Sequence, residues 1–249
     1  MYYNSNNHSI SFTETDYSKL TRIIKHLIHQ VDMPQLGLYS TINPDELWIS
    51  LILQFCTVSG KRMTEDLRED EKRLIEFGEK LNFRLLSSMK NNREEYISNV
   101  LKKYKATSFY NKQAERIEDV LNSRNVIDKN QFILLNDIDH NRQNYEEIRG
   151  LLMTRVPHFK IKSASGFMIE NGLSIDIIEI STRIGEVLNR HFNLNLDHRK
   201  IQTSRKTYEI IENALRKACN RLGIPLACLS RMLFYYSEKD TISYILEDL

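Results

Sequence analysis

The chain has 249 residues, is 41% hydrophobic and 27% charged, and carries a formal net charge of +2. That length holds one large domain or two small lobes, the composition excludes a disordered chain, and the near balance of charge excludes a uniformly polycationic nucleic-acid binder. The three cysteines, Cys56, Cys219 and Cys228, exclude a disulfide framework and a four-cysteine iron–sulfur cluster built from this chain alone, and read as buried inert thiols.

The opening "MYYNSNNHSI" is polar and has no secretory pattern. "TDYSKLTRIIKHLIHQV" follows, with Leu20, Ile23, Ile24, Leu27 and Val31 on one helical stripe. "NPDELWISLILQFC" predicts a buried central helix: Asn43 is the N-cap, Pro44 the first helical residue, two acids lie in the first turn, and apolar residues occupy nearly every face. The longer run "ELWISLILQFCTVSG" is too short and too broken to cross a bilayer, so a soluble cytoplasmic protein is expected. Trp48, Phe55 and Phe167 read as core at helical spacing.

"NREEYISNVLKKY" and "NKQAERIEDVLNS" are amphipathic helices, and "NYEEIRGLLMTRV" runs into Pro157. Four residues later "KIKSASGFMIENG" begins, with Gly172 as its stop. "SIDIIEIS" reads as an extended link. "STRIGEVLNRHF" is a helix capped by Ser181, and "SRKTYEIIENALRKACNRLG" runs from a Ser204 cap to Gly223, with Pro225 beyond. "PLACLSRMLFYYS" and a short tail close the chain. No stretch alternates apolar and polar residues long enough for a sheet, so the fold class is all-α. Two helical lobes are expected, one from residues 40–150 and one from residues 1–39 plus 151–249.

Residues Ile148 to Ile169 therefore read as helix, turn, helix. Such a turn presents backbone N–H groups and a helix start to one side, a seat for phosphate that gives affinity without base choice. Between Arg155 and Lys206 nine Lys/Arg stand against five Asp/Glu, so any positive field lies in this part of the chain. Lys162 falls in the first turn of the second helix, where the positive end of the macrodipole lowers an amine's pKa. A neutral amine there attacks a sugar carbon. From position alone Lys162 is a nucleophile, a phosphate contact or a solvated surface lysine.

Three stretches, in order, resemble the helix–hairpin–helix DNA glycosylase superfamily, nearest its endonuclease III and 8-oxoguanine glycosylase branches. "LILQFCTVS", Leu51 to Ser59, is similar to the family's buried helix ending in the glutamine before the flipped-base site. "FYNKQAERI", Phe109 to Ile117, is similar to its Y-N-x-x-A-E-x-I segment. "VPHFKIKSASGFMIENGLSIDIIEISTRIGEVLNR" is similar to its hairpin, lysine helix, extended link and aspartate helix. "LSRMLFYYS" resembles the closing helix of the 8-oxoguanine branch.

The resemblance implies two lobes with an active-site cleft between them. It also implies base-excision repair of double-stranded DNA by a glycosylase with abasic-site lyase activity. Lys162 then stands for the lysine nucleophile, in the family setting K-x-A-S. His158, Lys160, Gln54, Arg155 and Arg183 stand at DNA-contacting positions, with Gln54 filling the hole left by the flipped base. No cofactor, no metal and no membrane partner is implied. A monomer is favoured, and the expected location is the nucleoid. Two departures stand out. His158 and Lys160 replace hairpin glycines, and Ser181 replaces the essential aspartate, keeping an N-cap while dropping an anion. Asp176, Glu179 and Glu186 are the nearby carboxylates able to substitute. The alternative is a relative that has lost base excision and binds DNA or senses damage.

Overall fold

A computed structural model describes residues 2–4, 9–32, 35–57, 61–197, 201, 204–237 and 241–247. The described residues are mainly helical, as the sequence periodicity predicts. They divide into two compact units, Gly37–Leu173 and a discontinuous one of Met1–Leu36 with Ser174–Leu249. The turn expected in the lobe made from the chain ends lies instead within Gly37–Leu173.

The Gly37–Leu173 unit is built around α2 (Pro44–Cys56), for α1 (Glu14–Leu27) lies in the other unit. The Asn43 side chain accepts the Glu46 N–H at 2.9 Å and Pro44 occupies the first turn, as its sequence predicts. Every residue from Leu51 to Cys56 is buried. The Trp48 indole N–H donates to the Leu81 carbonyl at 2.7 Å, so its burial leaves no donor unpaired. Phe83 and Phe132 both meet its ring edge-on, with centroids 6.4 and 6.5 Å away.

Around α2 stand α3 (Lys61–Glu69), α4 (Glu71–Lys80), α5 (Phe83–Ser88), α6 (Arg93–Lys103) and α7 (Tyr110–Leu121). The last two form a helical hairpin braced by the Arg93–Glu118 ion pair. α3, α4 and α5 are not evident as elements in the sequence. α3 and α4 are short and highly charged and α5 has only six residues, so each is held mainly by what it packs against.

A two-stranded ribbon, β3 (Ile127–Asp128) with β4 (Gln131–Phe132), interrupts the helices. Lys129 and Asn130 both take positive φ, 47° and 60°, the conformation a tight two-residue hairpin demands. α8 (Tyr145–Arg155) starts at an Asn144–Glu147 capping box. α9 (Ile161–Glu170) ends where Gly172, at φ 65°, lets the Leu173 N–H turn back to the Met168 carbonyl at 2.8 Å. α8 and α9 belong to this unit because Phe159 packs on both Phe55 of α2 and Phe167 of α9, with ring centroids 5.3 and 6.2 Å apart.

The other unit holds a ribbon, β1 (Tyr2–Asn4) with β2 (Ser9–Ser11), then α1. α1 closes into a single turn at Ile28–Gln30, so Val31 leaves the predicted stripe in an extended conformation. The unit is completed by α10 (Thr182–Phe192), α11 (Arg205–Leu222), α12 (Leu226–Tyr235) and α13 (Thr241–Leu246). The "SIDIIEIS" link is not a strand. Its backbone is satisfied by side chains instead: Ile178 N–H donates to Glu212 at 3.3 Å, Glu179 N–H to the Ser230 hydroxyl at 3.2 Å, and Ile180 N–H to the Tyr208 hydroxyl at 3.0 Å. Apolar isoleucines can then be buried without a sheet partner.

All three cysteines are buried free thiols. Burial pushes the thiols of Cys56 and Cys219 up to about 12, and that of Cys228 up as well. A thiol held so far above neutral pH is a poor nucleophile. No helix among the described residues is long and apolar enough to cross a membrane.

Candidate active site

Lys162 owes its position to the turn before it. Val156, Pro157, His158 and Phe159 make a β-turn closed by the Phe159 N–H to the Val156 carbonyl at 3.2 Å. Proline presets φ at the second turn position, and the third needs a positive φ, which glycine ordinarily supplies. Here His158 supplies it at φ 65°. A non-glycine residue there costs about 1–2 kcal/mol. Its ring Nε2 lies 2.6 Å from the Asp119 carboxylate of α7, which anchors the turn to the helical hairpin. The histidine side chain is thus spent on shaping the turn.

Lys160 ends the turn as the N-cap of α9, exposed, at an ordinary φ of −117°. It needs no glycine. It also offers no side-chain cap, so the first N–H groups of α9 take no hydrogen bond from the N-cap side chain. Lys162 follows at the second helical position and is half-buried. One turn further along the same face, the Ser165 hydroxyl meets the guanidinium of Arg149 at 3.2 Å. Arg149 is 1% exposed and was not singled out from sequence. An arginine inside "EEIRGLLMTRV" was the available signal.

α2 and α9 run in opposite senses. Asn171, just past α9, donates to the Ser50 hydroxyl at 2.8 Å, while Phe55 meets Phe159, just before α9. Gln54 therefore lies at the Lys162 end of the pair. It is 1% exposed, and its Oε1 accepts no hydrogen bond from any described residue. A buried acceptor left in that state costs about 1–3 kcal/mol. Val58 and Ser59, which complete the matching stretch, lie outside the described residues.

Arg155 is also in this unit, but its guanidinium is engaged by the Leu134 carbonyl and the Asp137 carboxylate, each at 3.0 Å. Ser181 and Arg183 belong to the other unit. Ser181 is 4% exposed and caps α10 by accepting the Ile184 N–H at 3.3 Å. Arg183 stacks 5.1 Å above the Phe234 ring. Among the carboxylates near Ser181, Asp176 is bound by the Arg216 guanidinium at 2.9 Å. Burial raises its pKa, against the pull of that same guanidinium. Glu179 lies in the link, half-buried, and Glu186 is exposed on α10.

No protein-family model and no curated protein matches the chain. Two solved structures match its fold. One is the 8-oxoguanine glycosylase/lyase of Methanocaldococcus jannaschii in complex with a 15mer DNA containing 8-oxoguanine, at 18% identity and a TM-score of 0.62 over 88% of this chain and 95% of that one. The other is the 8-oxoguanine DNA glycosylase of the same organism, at 18% identity and a TM-score of 0.60 over 89% and 93%. The chain thus shares the fold of these two 8-oxoguanine DNA glycosylases, at 18% sequence identity.

Proposed function

We propose that the protein is a DNA glycosylase with abasic-site lyase activity, acting on double-stranded DNA in base-excision repair. The observation that carries this reading is the position of Lys162, in the first turn of α9 beside a helix start with no side-chain cap and at the same end of the helix pair as Gln54. In this reading the open N–H groups and Lys160 hold a backbone phosphate. Gln54 enters the stack as a damaged nucleoside leaves it, and its unused acceptor finds a partner on the orphaned base. The Lys162 amine, once deprotonated, forms a bond to C1′ as the glycosidic C–N bond breaks and the base departs with the electron pair. The sugar ring opens to a Schiff base. Loss of the C2′ proton then expels the 3′ phosphate by β-elimination.

Borohydride trapping tests this. A panel of duplexes containing 8-oxoguanine, other damaged bases or an abasic site should give a covalent adduct at Lys162 with at least one member. Absence of any adduct at high enzyme concentration overturns the reading.

Ser181 supports a second reading, in which the protein binds damaged DNA without excising the base. A serine caps α10 as an aspartate would, but cannot balance positive charge building on the sugar. The Ser181→Asp variant separates the two. It keeps the cap, and if the missing anion limits the rate it raises base release by about 10²–10⁴-fold. An already active wild type with an unchanged variant assigns the charge to another carboxylate.

A further inference from the structure

The far end of the α2–α9 pair carries a groove of about 730 Å³ that the repair reading leaves unused. Two helical stripes form its walls. α2 contributes Asp45, Glu46, Ile49 and Leu53, and α4 contributes Glu71, Leu74, Ile75, Gly78 and Glu79. Each set repeats every three or four residues, so each is one helix face. Ile49, Leu53, Leu74 and Ile75 supply its apolar lining, and the exposed Glu46, Glu71 and Glu79 an acidic rim. Arg68 and Glu170 pair with each other at one side. Among the described lining residues five carboxylates face one guanidinium, in a chain whose net charge is +2.

Two further features mark the groove as a binding surface. Ile75 is 56% exposed, a large apolar side chain open to solvent between Glu71 and Glu79 on the same stripe. Gly78 lies inside α4 without a positive φ. A Cβ there would meet Ile49 at 3.5 Å, an ordinary contact, so alanine would fit and would stabilise the helix. Glycine keeps the floor open where the two walls approach.

We infer that this groove docks a basic amphipathic helix from a partner protein. Two helix faces separated by an apolar trough accept a third helix through anchors one turn apart. The rim selects Lys or Arg flanking those anchors, and it repels the DNA backbone. The same groove is too acidic for a nucleic acid and too apolar for a polyamine alone.

The test is a selection on the full chain from a displayed library of 16-residue amphipathic helices with randomised polar faces. Enriched sequences should carry Lys or Arg around apolar anchors at i, i+3 or i+4, and i+7. A synthetic copy should bind about tenfold more weakly to Ile75→Asp, and to the Glu71→Lys/Glu79→Lys variant, whose duplex-DNA binding stays at the wild-type level. Enrichment of acidic or uncharged helices, no enrichment, binding unchanged in both variants, or displacement of the peptide by duplex DNA overturns the inference. Self-association of the free protein that is lost in Ile75→Asp also overturns it, and assigns the groove to a second copy of the chain.

Discussion

At one end of the α2–α9 pair stand Lys160, Lys162 and Gln54; at the other stand Asp45, Glu46, Glu79 and Glu170. α2 contributes to both, beside α9 at the first end and α4 at the second. At the first end the backbone reverses sharply and leaves helical N–H groups without a side-chain cap, so charge and dipole act together toward an anion. At the second the helices present apolar faces rimmed by carboxylates, which suits a cationic, partly apolar ligand. One unit can thus carry two surfaces of opposite sign, whose influence on each other solvent and salt screen.

Replacing Lys162 by alanine gives the sharpest contrast. Trapping and strand incision should fall by at least about 10³-fold, whereas Ile75→Asp at the opposite end leaves both unchanged. Equal losses in the two variants would break the division of labour. Next in size is Lys160→Ala, which should weaken duplex binding about tenfold at low salt and reduce the slope of log affinity against log salt by about one. Fluorescence anisotropy across a salt series measures both.

Gln54→Leu should move stability and function in opposite directions. The free protein gains about 1–3 kcal/mol because a buried acceptor is no longer left unpaired. Binding to duplexes with an abasic or damaged site weakens. Thermal melts and binding curves on the same samples read the two effects. A stability loss would mean that the amide already has a partner in the free protein.

The smallest effect concerns the turn. His158→Gly should stabilise the protein by about 1 kcal/mol by relieving the positive φ. Asp119→Ala should cost roughly 0.5–1 kcal/mol in the wild type and nothing in the His158→Gly background, since the pair is solvent-exposed and couples only through the histidine. Additive effects in that double-mutant cycle would remove Asp119 from its anchoring role.

Much of this was legible in the residues. The Asn43–Pro44 start, the Ser181 and Ser204 caps and the Gly172 and Gly223 stops all rest on local backbone chemistry, and each stands where the sequence places it. The caps also marked where the glycosylase-like segments begin. α3, α4 and α5 were not legible, because short helices are stabilised by what they pack against. Isoleucines in "SIDIIEIS" suggested extension, but their hydrogen-bond partners sit some 28–51 residues further on, beyond the reach of any local pattern.

By itself the sequence determined the longer helices, their ends, and the lysine standing behind a tight turn, because these depend on dihedral preference and on spacing within a few residues. Only the tertiary structure decided that Asp119 secures His158, that Arg149 is buried against Ser165, that Gln54 and Lys162 share an end, and that a groove opens at the other. Those are meetings between residues far apart in the chain, set by how aromatic and aliphatic side chains fill one core, and packing of that kind leaves no periodic trace.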